Sequence, residues 1–335
     1  MNTLLECINK KNNSYTPIWF MRQAGRYLPE FREIRKKNQD FIGLCLNTEL
    51  VPEITIQPLK RFDIDAAIIF SDILMIPFGL GQGVEFQKGM GPKLSKLEVE
   101  KILSNRPVDF INKLNPVYES ISKVKKIAKN KAVIGFVGAP WTLLVYMLNK
   151  GSPKNNFDIN NIINDKNLVE KILKKLEDVI CLHISKQVQA GADVIQIFDS
   201  WAGLLPEKEL PKYCYKPTFN IVKEFKNKVP IICFPRGIKN NYYDFCSIVK
   251  PDCISIDYEV DPKWAAKNLK DISIQGGLDP KILLTERDAI EKSVKKYLDT
   301  FSNNHYIFNL GHGVLPETKP ETISFIIDTI RNKNG

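Results

Sequence analysis

Residues 167–200 have the sequence NLVEKILKKLEDVICLHISKQVQAGADVIQIFDS, which joins two patterns that together decide the fold. Residues 167–190 predict an amphipathic helix, because apolar residues recur every three or four positions with lysines opposite. The apolar stripe consists of Leu168, Ile172, Leu176, Ile180 and Ile184. Gly191 ends this helix, since glycine readily adopts the conformation that follows a helix C-terminus. Residues 194–198 are a continuous apolar run, which predicts a strand buried on both faces.

The same alternation of helix and strand extends over the rest of the chain. Helical periodicity recurs over residues 118–129, 218–225, 242–249 and 288–301. Short apolar runs predict strands over residues 17–21, 66–70, 132–137, 194–198, 230–234, 253–256, 272–275 and 306–310. This alternation predicts an α/β fold, a single (β/α)8 TIM barrel spanning residues 1–335. A doubly wound open sheet is the alternative, but the glycine-rich turn G-x-G-x-x-G that it would place after the first strand is absent.

Two of the predicted connections are long. Residues 74–131 include the glycine-rich stretch FGLGQGV at 78–84, which lacks the Gly-Lys-Ser/Thr of a phosphate loop and predicts a short hairpin or an active-site flap. Residues 151–165 are polar and predict a mobile loop that could cover the mouth of the barrel.

Composition narrows the class of protein. Of the 335 residues, 44% are hydrophobic and 26% are charged, as in a globular protein. The formal net charge is +10, but the lysines are scattered and no basic tract is interleaved with aromatic residues, which favours a solvated surface over RNA binding. The seven cysteines are scattered without a Cys-x-x-Cys pair, as in a reducing compartment. The sequence shows no secretory signal and no membrane-length apolar run, so we expect a cytoplasmic protein that binds neither nucleic acid nor membrane.

Polar residues that could take part in binding or catalysis follow the predicted strands, where an α/β barrel has its active site. The first strand leads into Arg22 and Arg26, whose planar guanidinium groups bind carboxylates through two hydrogen bonds. The other candidates at strand ends are Ser71, Asp72, Tyr146, Asp199, Ser200, Asp257 and His312, the last flanked by Gly311 and Gly313. Each has a structural alternative: the arginines could form a salt-bridged corner, Asp72 and Ser200 could cap helices, and Tyr146 could pack in the core. Their convergence at one edge favours a site for an anionic ligand.

Metal and nucleophile sites are not indicated. His183, His305 and His312 lack the spacing to one another or to cysteine that zinc sites show. A catalytic serine triad would need an elbow such as G-x-S-x-G, which does not occur.

Five segments together resemble the uroporphyrinogen decarboxylase family. They are PIWFMRQAGR at 17–26, FSD at 70–72, GFVGAPWT at 135–142, FDS at 198–200 and NLGHG at 309–313. The first and third match long family signatures, and the resemblance extends from about residue 4 to residue 330.

The resemblance implies a TIM barrel that forms a homodimer and needs no cofactor or metal. It implies a carboxy-lyase that converts uroporphyrinogen III to coproporphyrinogen III in haem biosynthesis, by turning four acetate side chains into methyl groups. The electron-rich pyrrole would serve as the electron sink, so the enzyme must stabilise a transient cation and supply protons.

The resemblance also implies roles for individual residues. Asp72 would accept hydrogen bonds from the pyrrole N–H groups and stabilise the cation. Arg22, Arg26 and His312 would bind carboxylates, with Tyr146 and Ser200 adding hydrogen bonds. Residues Gln23, Ala24 and Gly25, between the arginines, would also contact substrate. The general acid stays open between an arginine in a desolvated ion pair and a bound water.

Two other functions are compatible with parts of the pattern. A zinc-dependent corrinoid or thiol methyltransferase could share the barrel, although the His-x-Cys ligands expected of it are missing. A non-catalytic anion-binding protein would account for the net charge alone.

Overall fold

The computed structural model describes residues 2–11, 15–87, 91–154 and 157–333. Within these ranges the strands are β1 (Ala66–Ile68), β2 (Val84–Gln87), β3 (Gly91–Leu94), β4 (Ala132–Gly138), β5 (Val194–Asp199), β6 (Ile231–Pro235), β7 (Cys253–Ile256), β8 (Ser273–Gly276) and β9 (Tyr306–Ile307). Seven of them form one parallel sheet in the order β1-β4-β5-β6-β7-β8-β9. Strands β2 and β3 pair antiparallel, which confirms the predicted hairpin in the long connection after β1.

Helices precede, connect and follow the strands of the sheet. They are α1 (Thr3–Ile8), α2 (Pro29–Lys37), α3 (Phe41–Cys45), α4 (Leu50–Arg61), α5 (Met75–Gly79), α6 (Val99–Ser104), α7 (Pro107–Ala128), α8 (Pro140–Asn149), α9 (Asn160–Ile163), α10 (Lys166–Gln189), α11 (Lys216–Phe225), α12 (Tyr242–Val249), α13 (Pro262–Asn268), α14 (Arg287–Thr300) and α15 (Pro320–Lys333). Single 3-10 turns cover Ala202–Leu204, Glu207–Glu209, Lys239–Asn241 and Pro280–Leu284, and a π-helical turn covers Pro211–Tyr215. No helix of the described ranges has the length and apolar character to cross a membrane.

Alternate residues of the strands pack into two apolar layers. Ala66 and Ile68 of β1 belong to a small cluster inside the curl of the sheet, whereas Ala67 belongs to the large layer beneath the helices. Helix α1 contributes Leu4 and Ile8 to the inner cluster, so it closes the end of the sheet opposite the strand C-termini. This two-sided burial explains why the strands are nearly continuous apolar runs.

Residues 17–21 differ from the prediction, because they do not form a regular strand. Ile18 makes a single parallel bridge to Phe308, and the Phe308 N–H donates to the Pro17 carbonyl at 2.9 Å. On the other side the Asp65 N–H donates to the Ile18 carbonyl at 2.8 Å. The segment therefore lies between the two edges of the sheet, next to β9 and β1.

Side chains replace the missing backbone ladder of this segment. The Ile18 N–H donates to the Asp65 carboxylate at 2.7 Å, the Phe20 N–H to the Gln23 amide at 3.0 Å, and the Met21 N–H to the Asn309 amide at 2.9 Å. These bonds satisfy buried N–H groups that a strand would pair with a neighbouring backbone. The described residues thus form an α/β fold with a curled, seven-stranded parallel sheet, in place of eight regular strands.

Candidate active site

The candidate residues from the sequence gather at the C-terminal edge of the sheet. Asp72 follows β1, Tyr146 lies on α8 after β4, Ser200 follows β5, and His312 lies beyond β9. These four side chains are half-buried, whereas Arg22 is exposed to solvent within the same mouth. Partial exposure at a strand end is what a ligand site in this type of fold requires.

The turn at residues 22–26, which carries both arginines, is stabilised by the buried side chain of Gln23. Gln23 is 1% exposed, and its side chain accepts from the Phe20 N–H and donates to the Ala66 carbonyl at 2.9 Å. Its amide is therefore used for structure and does not face the mouth. Gly25 has no room for a side chain, because a Cβ there would lie 2.7 Å from the Arg22 carbonyl oxygen.

Arg22 occupies a strained backbone position. Its φ is +63°, which costs free energy for a residue with a side chain and is common at functional sites. Its side chain lies against Gly313, where a Cβ would come within 2.3 Å of Arg22 Cδ. Burial by surrounding protein, together with Arg26 and Arg236, lowers the pKa of Arg22, although Asp72 opposes the shift and solvent still reaches the side chain. Gly313 therefore decides where the Arg22 guanidinium sits.

Asp72 is the acidic group of the mouth. One of its carboxylate oxygens accepts from the Leu74 N–H at 2.8 Å. Burial raises the pKa of Asp72 to about 6, while the Leu74 N–H and the charge of Arg22 favour the ionised form. At neutral pH the group is mostly ionised, but it is protonated more easily than an exposed aspartate.

His312 is neutral in this environment. Its Nδ1 accepts from the Gly313 N–H, which leaves the proton on Nε2. Burial, with help from Arg22 and Arg236, lowers the pKa of His312 to about 3. The ring can donate one hydrogen bond but does not supply a positive charge at neutral pH. Gly311 on its other side is pressed against backbone, since a Cβ there would lie 2.3 Å from the Tyr258 nitrogen.

Tyr146 and Ser200 lie near Trp201. The Tyr146 and Trp201 rings are 5.9 Å apart between centroids, and burial raises the pKa of Tyr146, so its hydroxyl is protonated. The Trp201 backbone is held by α8, because its N–H donates to the Thr142 hydroxyl at 3.0 Å and its carbonyl accepts from the Trp141 indole at 2.9 Å. Ser200 precedes this anchored residue and is half-buried.

Two acids at strand ends serve the scaffold. Asp199 is 3% exposed and accepts from the Thr142 hydroxyl at 2.6 Å, and burial raises its pKa to about 6. Asp257 accepts from the Gly237 N–H at 2.7 Å and from the Tyr242 hydroxyl at 2.9 Å. Both carboxylates fix the loops after β5 and β6 and do not line the mouth.

Sequence reasoning missed Arg236, which directly follows β6. It is half-buried and close enough to Arg22 and His312 to lower the pKa of both. The available signal was a cation directly after an apolar run and before Gly237, similar to Arg22 after residues 17–21. With Arg22 and Arg26 it makes the mouth strongly basic, and within the described ranges none of these three arginines forms an ion pair with a carboxylate.

The described residues contain no group of three or more His, Cys, Asp or Glu side chains placed to hold a metal ion. The polar groups that do converge at the mouth are guanidinium groups, one carboxylate, one neutral imidazole and hydroxyls. Such a set can bind several carboxylates and stabilise one developing positive charge.

Comparisons with known proteins agree on one family. A family model described as uroporphyrinogen decarboxylase (URO-D) matches residues 1–333. A uroporphyrinogen decarboxylase of Orientia tsutsugamushi (strain Ikeda) is 43% identical over 99% of this chain and 98% of its own length. One of Cereibacter sphaeroides is 38% identical, with 99% of each chain covered.

Solved structures show similarity at the level of the fold. A methyltransferase from Methanosarcina mazei superimposes with a TM-score of 0.81 over 99% of this chain and 98% of its own, at 14% identity. A B12-independent methionine synthase from Shewanella has a TM-score of 0.55 over 85% of this chain and 88% of its own, at 10% identity. At these identities the likeness concerns the α/β architecture alone.

Proposed function

The chain belongs to the uroporphyrinogen decarboxylase family, and we propose that Asp72 and the basic groups around it perform the reaction. The family assignment confirms the predicted activity, a carboxy-lyase reaction on uroporphyrinogen in porphyrin and haem biosynthesis. The observation that carries the assignment of the site is Asp72, a half-buried carboxylate with a raised pKa in a mouth of unpaired arginines.

Asp72 stabilises the positive charge that the reaction creates. A proton adds to a pyrrole ring carbon next to the acetate-bearing carbon, and the ring becomes a cation. The bond between the acetate methylene and its carboxylate then breaks, carbon dioxide leaves, and the bonding electrons return to the ring. A second proton adds to the exocyclic carbon, and the ring carbon releases the first, so that each cycle exchanges one carboxylate for one hydrogen.

The charge on Asp72 matters most in the cationic intermediate. A carboxylate stabilises a neighbouring cation more strongly in a site partly screened from water than in bulk solvent. This carboxylate is also in place before the charge forms. The same oxygens accept hydrogen bonds from pyrrole N–H groups of the bound macrocycle.

The other residues hold the substrate. Arg22 and Arg26 bind its carboxylates through their guanidinium groups, and neither forms an ion pair with an acid among the described residues. The backbone N–H groups of Ala24, Gly25 and Arg26 have no acceptor in the described part of the chain, so this turn adds donors for a carboxylate. Gln23 supports the turn from beneath.

Three neutral groups complete the contacts. His312 donates through Nε2, because its Nδ1 already accepts from Gly313. Tyr146 and Ser200 donate through their hydroxyls from the ends of β4 and β5. Their donors are uncharged at neutral pH, so they fix orientation and add little net attraction.

Further proposals concern the whole chain. We propose that residues 17–21 take the eighth place of a closed (β/α)8 barrel, supported by hydrogen bonds to both Phe308 and Asp65, and that residues 1–335 form one domain. A homodimer and a cytoplasmic location are supported by the family resemblance and the scattered thiols, respectively. Sedimentation of the purified chain tests the dimer.

The test of the site compares two matched Asp→Asn variants. Asp72→Asn removes the charge in the mouth but keeps an oxygen to accept from Leu74. Asp252→Asn makes the same change at the opposite end of the sheet, where that carboxylate accepts from the Ile231 N–H at 2.8 Å and also has a raised pKa. We expect Asp72→Asn to lower kcat at least 100-fold with an unchanged melting temperature, and Asp252→Asn to keep kcat. Near wild-type turnover in Asp72→Asn would refute the assignment.

A further inference from the structure

Arg236 stands at the same edge of the sheet as the proposed site. It is the first residue after β6, and its charge contributes to the lowered pKa values of both Arg22 and His312. Asp72 receives no such contribution, since burial, Leu74 and Arg22 account for its pKa. In the sheet, strands β4 and β5 separate β1, which Asp72 follows, from β6, which Arg236 follows, so the two residues stand at different places on this edge.

The backbone around Arg236 is fixed on both sides. Its N–H donates to the Asp199 carbonyl at 3.1 Å, and its carbonyl accepts from the Gly203 N–H at 2.9 Å. The next residue, Gly237, has φ of +81° and donates to the Asp257 carboxylate. Gly203 packs so closely on Gly237 that a Cβ at 203 would lie 2.7 Å from the Gly237 carbonyl oxygen. The close packing of Gly203 on Gly237, the Asp199 carbonyl and the Asp257 carboxylate thus fix the backbone at Arg236.

The guanidinium of Arg236 lacks a counter-ion. The side chain is half-buried, and no hydrogen bond or ion pair joins its guanidinium to another side chain in the described ranges. A half-buried cation near a second arginine, Arg22, costs free energy unless an anion joins it. The sheltered position, the rigid backbone and the missing partner together indicate that the partner is the ligand.

We propose that Arg236 binds a carboxylate of uroporphyrinogen that does not react, on one of the propionate side chains. This proposal rests on the proposed function of the site and extends it. The reacting acetate must lie where Asp72 can stabilise the cation, whereas Arg236 follows a strand three places away in the sheet. The propionates remain through all four decarboxylations, so one of them can pair with Arg236 in every bound intermediate and in the product.

The test compares Arg236→Gln with Lys239→Gln. Lys239 is exposed in the same loop, so its variant removes an equal charge outside the mouth. Two quantities are measured: the KM for uroporphyrinogen, and the inhibition constant of coproporphyrinogen, which carries propionates only. Loss of a charge-assisted hydrogen bond predicts that Arg236→Gln raises both by about 10- to 100-fold. We expect kcat to change less than about threefold, and Lys239→Gln to leave both constants unchanged.

Three results would overturn the proposal. Unchanged constants in Arg236→Gln would show that the residue does not bind substrate, and a loss of kcat alone would place its role in the chemical step. A higher KM with an unchanged inhibition constant would show that it holds an acetate. If Arg236→Gln does not fold, Arg236→Lys decides the matter, because the loss of the planar fork predicts a higher inhibition constant and an unchanged one contradicts it. Binding of coproporphyrinogen involves no turnover, so these results stand apart from the role of Asp72.

Discussion

Gly313→Ala should separate activity from stability. A Cβ at residue 313 would lie 2.3 Å from Arg22 Cδ, 2.7 Å from Cγ and 2.9 Å from Nε. Carbon atoms in contact need about 3.5 Å, so the Arg22 side chain must move by more than about 1 Å. The atoms that must move belong to a flexible side chain with solvent beside it, which limits the cost to the fold.

The displacement predicts a large kinetic effect. A shift of about 1 Å in a group that positions substrate typically costs about 100-fold in rate, which corresponds to about 2.7 kcal/mol. We therefore expect kcat/KM for uroporphyrinogen to fall about 100-fold in Gly313→Ala, with a melting temperature within about 2 °C of wild type. Anaerobic turnover and thermal unfolding measure the two quantities.

Two other glycines provide controls. Gly311→Ala places a Cβ 2.3 Å from the Tyr258 nitrogen, and because backbone must move we expect a loss of about 1–3 kcal/mol of stability. Gly83 is exposed next to the hairpin, and a Cβ there would lie 3.2 Å from the Ser95 hydroxyl oxygen. Gly83→Ala should leave kcat/KM and the melting temperature unchanged. A Gly313→Ala variant with wild-type kcat/KM would refute the packing argument for Arg22.

Three further changes have defined outcomes. Arg26→Lys keeps the charge but loses the planar fork, so product analysis should show slower turnover, by about 10-fold, and an accumulation of partly decarboxylated intermediates; a wild-type rate to full product would contradict the bidentate role. Because Asp72 is active when ionised and its pKa is about 6, kcat/KM should fall as the pH drops below about 6. Asp199→Asn should show the same fall at low pH, since Asp199, whose pKa is also about 6, faces Thr142 and not the mouth. Asp65→Ala removes the acceptor of the Ile18 N–H and the partner of Arg331 at 2.8 Å, and urea unfolding should show a loss of about 3 kcal/mol; no loss would show that residues 17–21 are held otherwise.

Local periodicity was sufficient to predict most elements of the fold. Helix α10 begins and ends within one residue of its prediction, since its amphipathic stripe and Gly191 are both local signals. Helix α7 begins at Pro107, well before the predicted residue 118, because it continues through Pro116, which usually interrupts a helix. The irregular form of residues 17–21 was not predictable, since it depends on Asp65 and Asn309, which are distant in sequence.

The sequence predicted that Asp72, His312 and the arginines lie at the C-terminal edge of the sheet. It did not predict the direction in which each side chain points. Asp72, Asp199 and Asp257 all follow strands, and only their tertiary partners distinguish them. Thr142 holds Asp199, and Gly237 with Tyr242 holds Asp257. The glycines beside His312 pack against Arg22 and Tyr258, which are distant in sequence, so local sequence could not show what fills that space.

We propose that the residues of this chain decarboxylate uroporphyrinogen by themselves, with the pyrrole ring as electron sink. The most direct measurement is anaerobic incubation of the wild-type chain, after treatment with a chelator and with nothing added, followed by a count of carboxylates in the product. We expect a tetracarboxylate macrocycle and four molecules of carbon dioxide for each substrate consumed. A product that keeps all eight carboxylates until zinc or an organic cofactor is supplied would contradict it.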